Sequence, residues 1–270
     1  MIDIIDIAQS SSMYNFHSHT QFCDGHDLME EFVKEAVAQG FNHYGFSPHA
    51  PVPFESPCNM SKDDVPAYLA EAARLREIYG DRISLYSSME IDYTDVCGPA
   101  DEYFSQLPLD YRIGSIHFLP SFVNPGEFVD IDGRFPNFKK RMALHFNNDI
   151  EAVVRSYFNQ SLKMVEAGGF DIIGHFDKIG FNASLFQPNL DEEPWYDRLV
   201  MQLFEAIMDH HYIIEVNTKA WQMNNRFFPN LKYFGMLKKY NAPVVVNSDA
   251  HYPTLINNGR PAALQLLDLL

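Results

Sequence analysis

Short β-compatible runs alternate with helical runs along this chain seven times, and six of the seven short runs end in His, Glu or Asp. The first closes on Phe16-His17-Ser18-His19-Thr20; later ones close on Ser47-Pro48-His49, Met89-Glu90, Ile116-His117, Gly174-His175 and Asn247-Ser248-Asp249-Ala250-His251. The seventh, Tyr212 to Val216, runs into Asn217-Thr218-Lys219. Helical spacing of apolar residues predicts helices over 28–39, 63–79, 149–167, 195–209, 231–239 and 260–269. Alternating βα units indicate a parallel sheet, and this many favour closure into a barrel, where all strand ends meet on one face. Residues spread over more than two hundred positions would then converge. Within the first motif, two histidines at i and i+2 on extended chain point to one side, so both rings can reach one ion.

The ends of the short runs thus bring together His17, His19, His49, Glu90, His117, His175, Asp249 and His251, a set of six imidazoles and two carboxylates without a thiolate. That donor set suits Zn, Mn or Fe at two or three sites, with a carboxylate able to bridge. Clusters of this kind activate water and clamp both oxygens of a displacement at phosphorus. Of the other histidines, His26 is left open; His43 lies at the start of its run, on the wrong face, and His145, His210 and His211 lie in or beside helices.

Bulk properties frame these local signals. With 270 residues, 46% of them hydrophobic, the chain can bury one α/β barrel or two smaller cores, and the reading adopted is a single domain over 1–270. A formal charge of −16 argues against a nucleic-acid surface, which needs clustered Lys and Arg. The three cysteines make no paired motif, which suggests a reducing compartment. No signal peptide and no run of about 20 apolar residues is visible, so a cytoplasmic protein without a membrane segment is expected. Residues 120–148, rich in Phe, Pro, Asn and Gly, read as a long loop covering a site. Oligomeric state is not legible.

The motifs carry a resemblance. Phe16-His17-Ser18-His19-Thr20 with Phe22-Cys23-Asp24-Gly25, Gly45-Phe46-Ser47-Pro48-His49-Ala50-Pro51 and Met89-Glu90-Ile91-Asp92-Tyr93 lead the set. Gly114-Ser115-Ile116-His117-Phe118, Ile173-Gly174-His175-Phe176-Asp177, Glu215-Val216-Asn217-Thr218 and Asn247-Ser248-Asp249-Ala250-His251 complete it. In this order and coverage the chain resembles the PHP (polymerase and histidinol phosphatase) family, and within it the monofunctional histidinol-phosphate phosphatases.

The resemblance implies a distorted, TIM-like (β/α)7 barrel with a trinuclear cluster. By motif, one ion takes His17, His19, Glu90 and Asp249; a second shares Glu90 and adds His117 and His175; a third takes His49 and His251. Relatives complete the third site with a His or an acidic residue from the loop after the first His pair. Asp24 and His26 are both available here, and Asp24 is preferred by its place in the loop motif. The implied reaction is hydrolysis of L-histidinol phosphate to L-histidinol and phosphate, a step of histidine biosynthesis, with Glu90, Asp249 and His251 at the reacting centre. Lys178 and Lys219 are candidates for a phosphate oxygen, with Arg155 and Arg260 behind them; the arginine some relatives carry after the Gly-His-x-Asp motif is replaced by Ile179-Gly180-Phe181. Asp130 and Asp132 are candidates for the substrate ammonium. A phosphoesterase of the same family acting on another small ester, such as a nucleotide, is the alternative; a non-catalytic metal-binding module is a third reading.

Overall fold

The computed structural model describes residues 2–269. Its strands are β1 (Tyr14–Asn15), β2 (His43–Phe46), β3 (Ser84–Ser87), β4 (Glu90–Asp92), β5 (Ile113–Ser115), β6 (Phe118–Pro120), β7 (Phe128–Asp130), β8 (Ile172–Ile173), β9 (Ile213–Asn217) and β10 (Val244–Asn247). Two parallel sheets form, β1-β2-β3 and β10-β9-β8-β5-β4. Only Ser88 and Met89 separate β3 from β4, so residues 84–92 act as one bent strand that leaves the first sheet and enters the second.

Isolated parallel bridges join the sheets at their seams, Ser18 to Ala250 and His49 to Glu90. The parallel strands therefore follow one another in the ring order expected of a (β/α)7 unit, but the ladders do not close it continuously. Both seams fall among the residues that carry the His and Glu side chains, where single bridges stand in for a longer ladder: the Glu90 amide donates to the Pro48 carbonyl at 3.0 Å and the Ala50 amide to the Glu90 carbonyl at 2.8 Å.

Helices cover the outside. Met29–Ala38 buries Phe32, Val33 and Ala36, and Val65–Tyr79 buries Tyr68, Ala72 and Leu75, in the same apolar cluster. Ile150–Ala167 starts where the Asp149 side chain accepts a bond from the Ala152 amide at 3.0 Å, and stops at Gly168, whose φ is 73°. Pro194–Asp209 packs beside it through Val200, Leu203 and Phe204. Among the described residues no helix is long and apolar enough to cross a membrane.

The inside of the ring is filled by Phe16, Tyr111, Ile113, Ile172 and Val245. The Tyr111 hydroxyl donates to the Phe16 carbonyl at 2.6 Å, and a Cβ at Gly45 would lie 1.9 Å from that hydroxyl, so only glycine fits there. Sequence patterning did not anticipate the helix Ile4–Ser10, whose Ile4 joins this cluster beside the strand starts. It plugs the end opposite the histidines.

The segment 120–148 differs from the long loop expected. β6 and β7 pair antiparallel as a hairpin, and Phe135–His145 is a helix anchored by Phe138 and Met142. Three-residue strands show no usable alternation, and the Lys139-Lys140-Arg141 run masks the short apolar face of the helix.

Candidate metal centre

His17 and His19 stand just beyond β1 with ring centroids 5.2 Å apart. The intervening Ser18 keeps the chain extended: its amide donates to Ser47 Oγ at 3.1 Å and its hydroxyl to the Gly45 carbonyl at 3.0 Å. The His19 amide donates to the Ala250 carbonyl at 2.8 Å, which fastens β1 to the segment after β10.

Glu90 is the hub. Its Oε2 lies 3.2 Å from His17 Nε2, 3.4 Å from His19 Nε2 and 3.2 Å from His49 Nδ1. Its Oε1 lies 2.8 Å from His175 Nε2 and 3.5 Å from His117 Nε2. Asp249 Oδ1 is 3.1 Å from His19 Nε2 and 3.8 Å from His17 Nε2. A third group gathers around Asp24 Oδ1, which is 3.3 Å from His251 Nε2, 3.7 Å from His49 Nε2 and 3.7 Å from His19 Nδ1.

The residues fit divalent cations. His17 Nε2, His19 Nε2, Glu90 Oε2 and Asp24 Oδ1 are buried, and no hydrogen bond satisfies any of them. Buried polar atoms without partners are costly in a folded protein. Here they belong to groups whose ligand atoms lie within 4.8 Å of one another, which suits a shared positive ion.

Electrostatics agrees. Burial opposes charge on Glu90 and Asp249, yet the facing histidines, and Lys219 at Asp249, hold both carboxyls well below the usual range. Burial lowers His19, His49 and His175, keeping their rings neutral and able to donate a lone pair. His17 and His117 go the other way. Burial would depress them, but carboxylates outweigh it: Glu215, Glu90 and Asp249 raise His17, and Asp92 with Glu90 lifts His117 to about 9.

Those carboxylates reveal a supporting layer. Glu215 Oε1 is 2.6 Å from His17 Nδ1, and its Oε2 accepts the His175 amide at 3.0 Å. Asp92 Oδ1 accepts the His117 amide at 3.0 Å and lies 2.9 Å from His117 Nδ1. Ser115 Oγ donates to Glu90 Oε1 at 2.7 Å. Such partners orient a ligating ring and select its tautomer. Sequence reasoning quoted these residues without giving them a role. The signal was present in part: Asp92 follows Glu90 by two positions on one strand, hence on one face. Two site residues also hold left-handed backbone, His175 with φ 28° and Asp249 with φ 49°, a strain characteristic of functional positions.

A cavity of about 200 Å³ opens beside the cluster, and Asp24, His49, Asn59, Asp92, His117, Asp130, Asp132, Lys219 and His251 are among its lining. Lys219 Nζ is 3.2 Å from Asp249 Oδ1. Lys178 stands behind the lining, its Nζ 2.7 Å from Asp132 Oδ2, and Asp130 Oδ2 is 2.7 Å from Arg141 Nη2. Both acidic residues thus face the cavity already paired.

Other candidates lie elsewhere. The His26 ring stacks on Tyr252, centroids 4.3 Å apart, and stays out of the cluster. Arg155 pairs with Glu151 on an exposed helix face. Arg260 is buried between Tyr14 and Phe41 and donates to the Val246 and Ser12 carbonyls, so it is committed to the fold. His43 meets Tyr86 at the start of β2, and His145 meets Glu127.

The chain is 24% identical over 272 residues to the histidinol-phosphatase of Bacillus subtilis, covering 87% of this chain and 92% of that one. A Lactococcus lactis histidinol phosphate phosphatase, crystallised with zinc, L-histidinol and phosphate, superposes with a TM-score of 0.74 at 19% identity, over 96% of this chain and 93% of that chain. A Listeria monocytogenes chain, crystallised as a candidate histidinol phosphatase, reaches 0.81 at 20% identity, over 92% of this chain and 99% of that chain. The PHP domain model matches residues 15–219, from the strand before the first His pair to the lysine at the cavity, and the chain belongs to the PHP domain family.

Proposed function

We propose that this protein hydrolyses L-histidinol phosphate to L-histidinol and phosphate, using two or three divalent ions at the centre built around Glu90. The observation that carries the reading is the set of unpartnered buried donor atoms on His17, His19, Glu90 and Asp24, beside a cavity that holds a lysine. Family membership supports it, as do the name of the Bacillus subtilis relative and the ligands bound in the Lactococcus lactis structure.

Bound zinc, manganese or iron would supply Lewis acidity, neutralising the dianionic ester and lowering the pKa of water. His17, His19, Glu90 and Asp249 would hold one ion, and Glu90, His117 and His175 a second. Asp24, His49 and His251 would hold a third. The Glu90 carboxylate, shared between groups, spaces them, while Glu215 and Asp92 keep the His17 and His117 rings aimed. Of the three residues read as catalytic, His251 lines the cavity, while Glu90 and Asp249 are buried behind it and would act through the ions they hold. Lys219, on the cavity wall, is the cation best placed for a phosphate oxygen; Lys178 acts through Asp132. Asp130 and Asp132 reach the wall paired with Arg141 and Lys178, which offsets much of their pull on a substrate ammonium; Asp24 and Asp92 on the same wall add carboxylates that disfavour the further phosphates of a nucleotide.

The test is phosphate release by zinc- or manganese-loaded protein from a panel containing histidinol phosphate, nucleoside monophosphates and an aryl phosphate. A much higher kcat/KM for histidinol phosphate is expected. Comparable rates on nucleotides would favour a broader phosphoesterase, and no release from any ester would leave a binding module.

A further inference from the structure

Lys219 stands among the groups proposed for the third ion. Its Nζ is 3.1 Å from His251 Nε2 and 3.2 Å from Asp249 Oδ1. The same His251 Nε2 comes within 3.3 Å of Asp24 Oδ1. The other ring nitrogen, Nδ1, is 3.0 Å from the Asp249 carbonyl, and since a carbonyl only accepts, Nδ1 carries the proton. In the neutral ring, the form a metal ion needs, Nε2 then has a single lone pair, facing Asp24 and Lys219. An ammonium N–H and a metal ion cannot both take that pair, and their like charges repel at such a separation.

The third group is also the most open. The Asp24 and His251 side chains are 28% and 13% exposed, against 1% for Glu90 and 0% for His175. Lys219 is itself 37% exposed and lines the cavity, so its ammonium can leave His251 for the cavity without crossing packed core. An anion in the cavity would draw it there.

We infer that Lys219 is a resident competitor for the third ion: ammonium and ion alternate on His251 Nε2, and an anion in the cavity tightens the third site by drawing the lysine away. The inference rests on the proposed metal centre. Coupling between two sites is reciprocal, so the third ion also strengthens anion binding. The two inner positions then stay filled while the outer one loads with substrate.

The test is calorimetric titration of the chelator-stripped full chain with zinc, with and without inorganic phosphate, on the unmodified protein, Lys219→Met and Lys219→Arg. In the unmodified protein the third equivalent should bind more weakly than the first two and tighten at least about tenfold with phosphate. In Lys219→Met it should already be at least about tenfold tighter without phosphate, and phosphate should add little. Lys219→Arg keeps the charge and should keep the weak third equivalent. Unchanged far-ultraviolet circular dichroism of the metal-free proteins reports an intact fold in both variants, since Lys219 also touches Asp249 of the first group. A third equivalent unmoved by Lys219→Met, or tightened equally by phosphate in both proteins, overturns this inference alone. A protein that takes up no zinc overturns it together with the proposed function.

Discussion

Glu215 Oε1 and His17 Nδ1 lie 2.6 Å apart, both fully buried, although 198 positions separate them in the chain. The contact leaves His17 Nε2 as the nitrogen facing Glu90 and Asp249. Glu215 also accepts from the Asn217 and Asn247 side chains at 3.0 Å each. One carboxylate of β9 thereby orients a ligand delivered by β1. Glu215→Gln should weaken zinc binding about ten- to a hundredfold, read by competition with a chromophoric chelator; unchanged affinity would make the contact purely structural.

Glu90 faces five histidines and is 1% exposed. Glu90→Gln removes the one charge common to the first two ligand groups. Turnover of histidinol phosphate should fall on the order of a hundredfold or more, with circular dichroism unchanged. His43→Gln, at the far end of β2 beside Tyr86, should keep most activity. Similar losses in both variants would mean that Glu90 acts through stability.

Removing the ions should itself destabilise the fold. A ligand that binds only the folded state adds about 3 kcal/mol at a hundredfold excess over its Kd. Excess chelator should therefore lower the thermal midpoint by roughly 5–10 °C, and zinc should restore it. An unmoved midpoint would contradict ions bound by this chain.

The Asp132–Lys178 pair, 2.7 Å apart, holds the hairpin and its following helix against the site. Burial opposes the Asp132 charge, but Lys178 and His117 draw its carboxyl below the ordinary range. A carboxyl depressed in the folded state adds stability above its unfolded pKa, near 3.9, and loses it progressively on acidification below that. Asp132→Asn should cost about 1–3 kcal/mol at pH 7, discounted for partial exposure, and should flatten that acid loss. Urea melts at pH 7 and pH 3 check both points.

At Gly45 an added Cβ would sit 1.9 Å from Tyr111 Oη and 3.3 Å from Phe16 Cα. Gly45→Ala should therefore destabilise by about 1–3 kcal/mol. Gly126→Ala is its contrast: an added Cβ there meets nothing within 4 Å, so only the cost of its φ of 84° applies. Denaturation midpoints compare the two, and equal losses would mean that the ring interior yields to an extra methyl.

The β/α order, the outer helices and the convergence of His17, His19, His49, Glu90, His117, His175, Asp249 and His251 are written in the sequence. Strand ends and helical faces are local patterns, and the parallel topology carries them to one face. Segment 120–148 was less legible, because three-residue strands and a helix with a charged middle leave no clear period. Tertiary structure decided the rest. It holds Asp24, the residue the loop motif favours, beside His49 and His251 and turns the His26 ring onto Tyr252. It also pairs Asp130 with Arg141 and Asp132 with Lys178, and commits Arg260 to the barrel wall. Residue type and spacing tell which atoms can donate or bind; which of them still have a free lone pair or charge depends on neighbours that only the folded chain supplies.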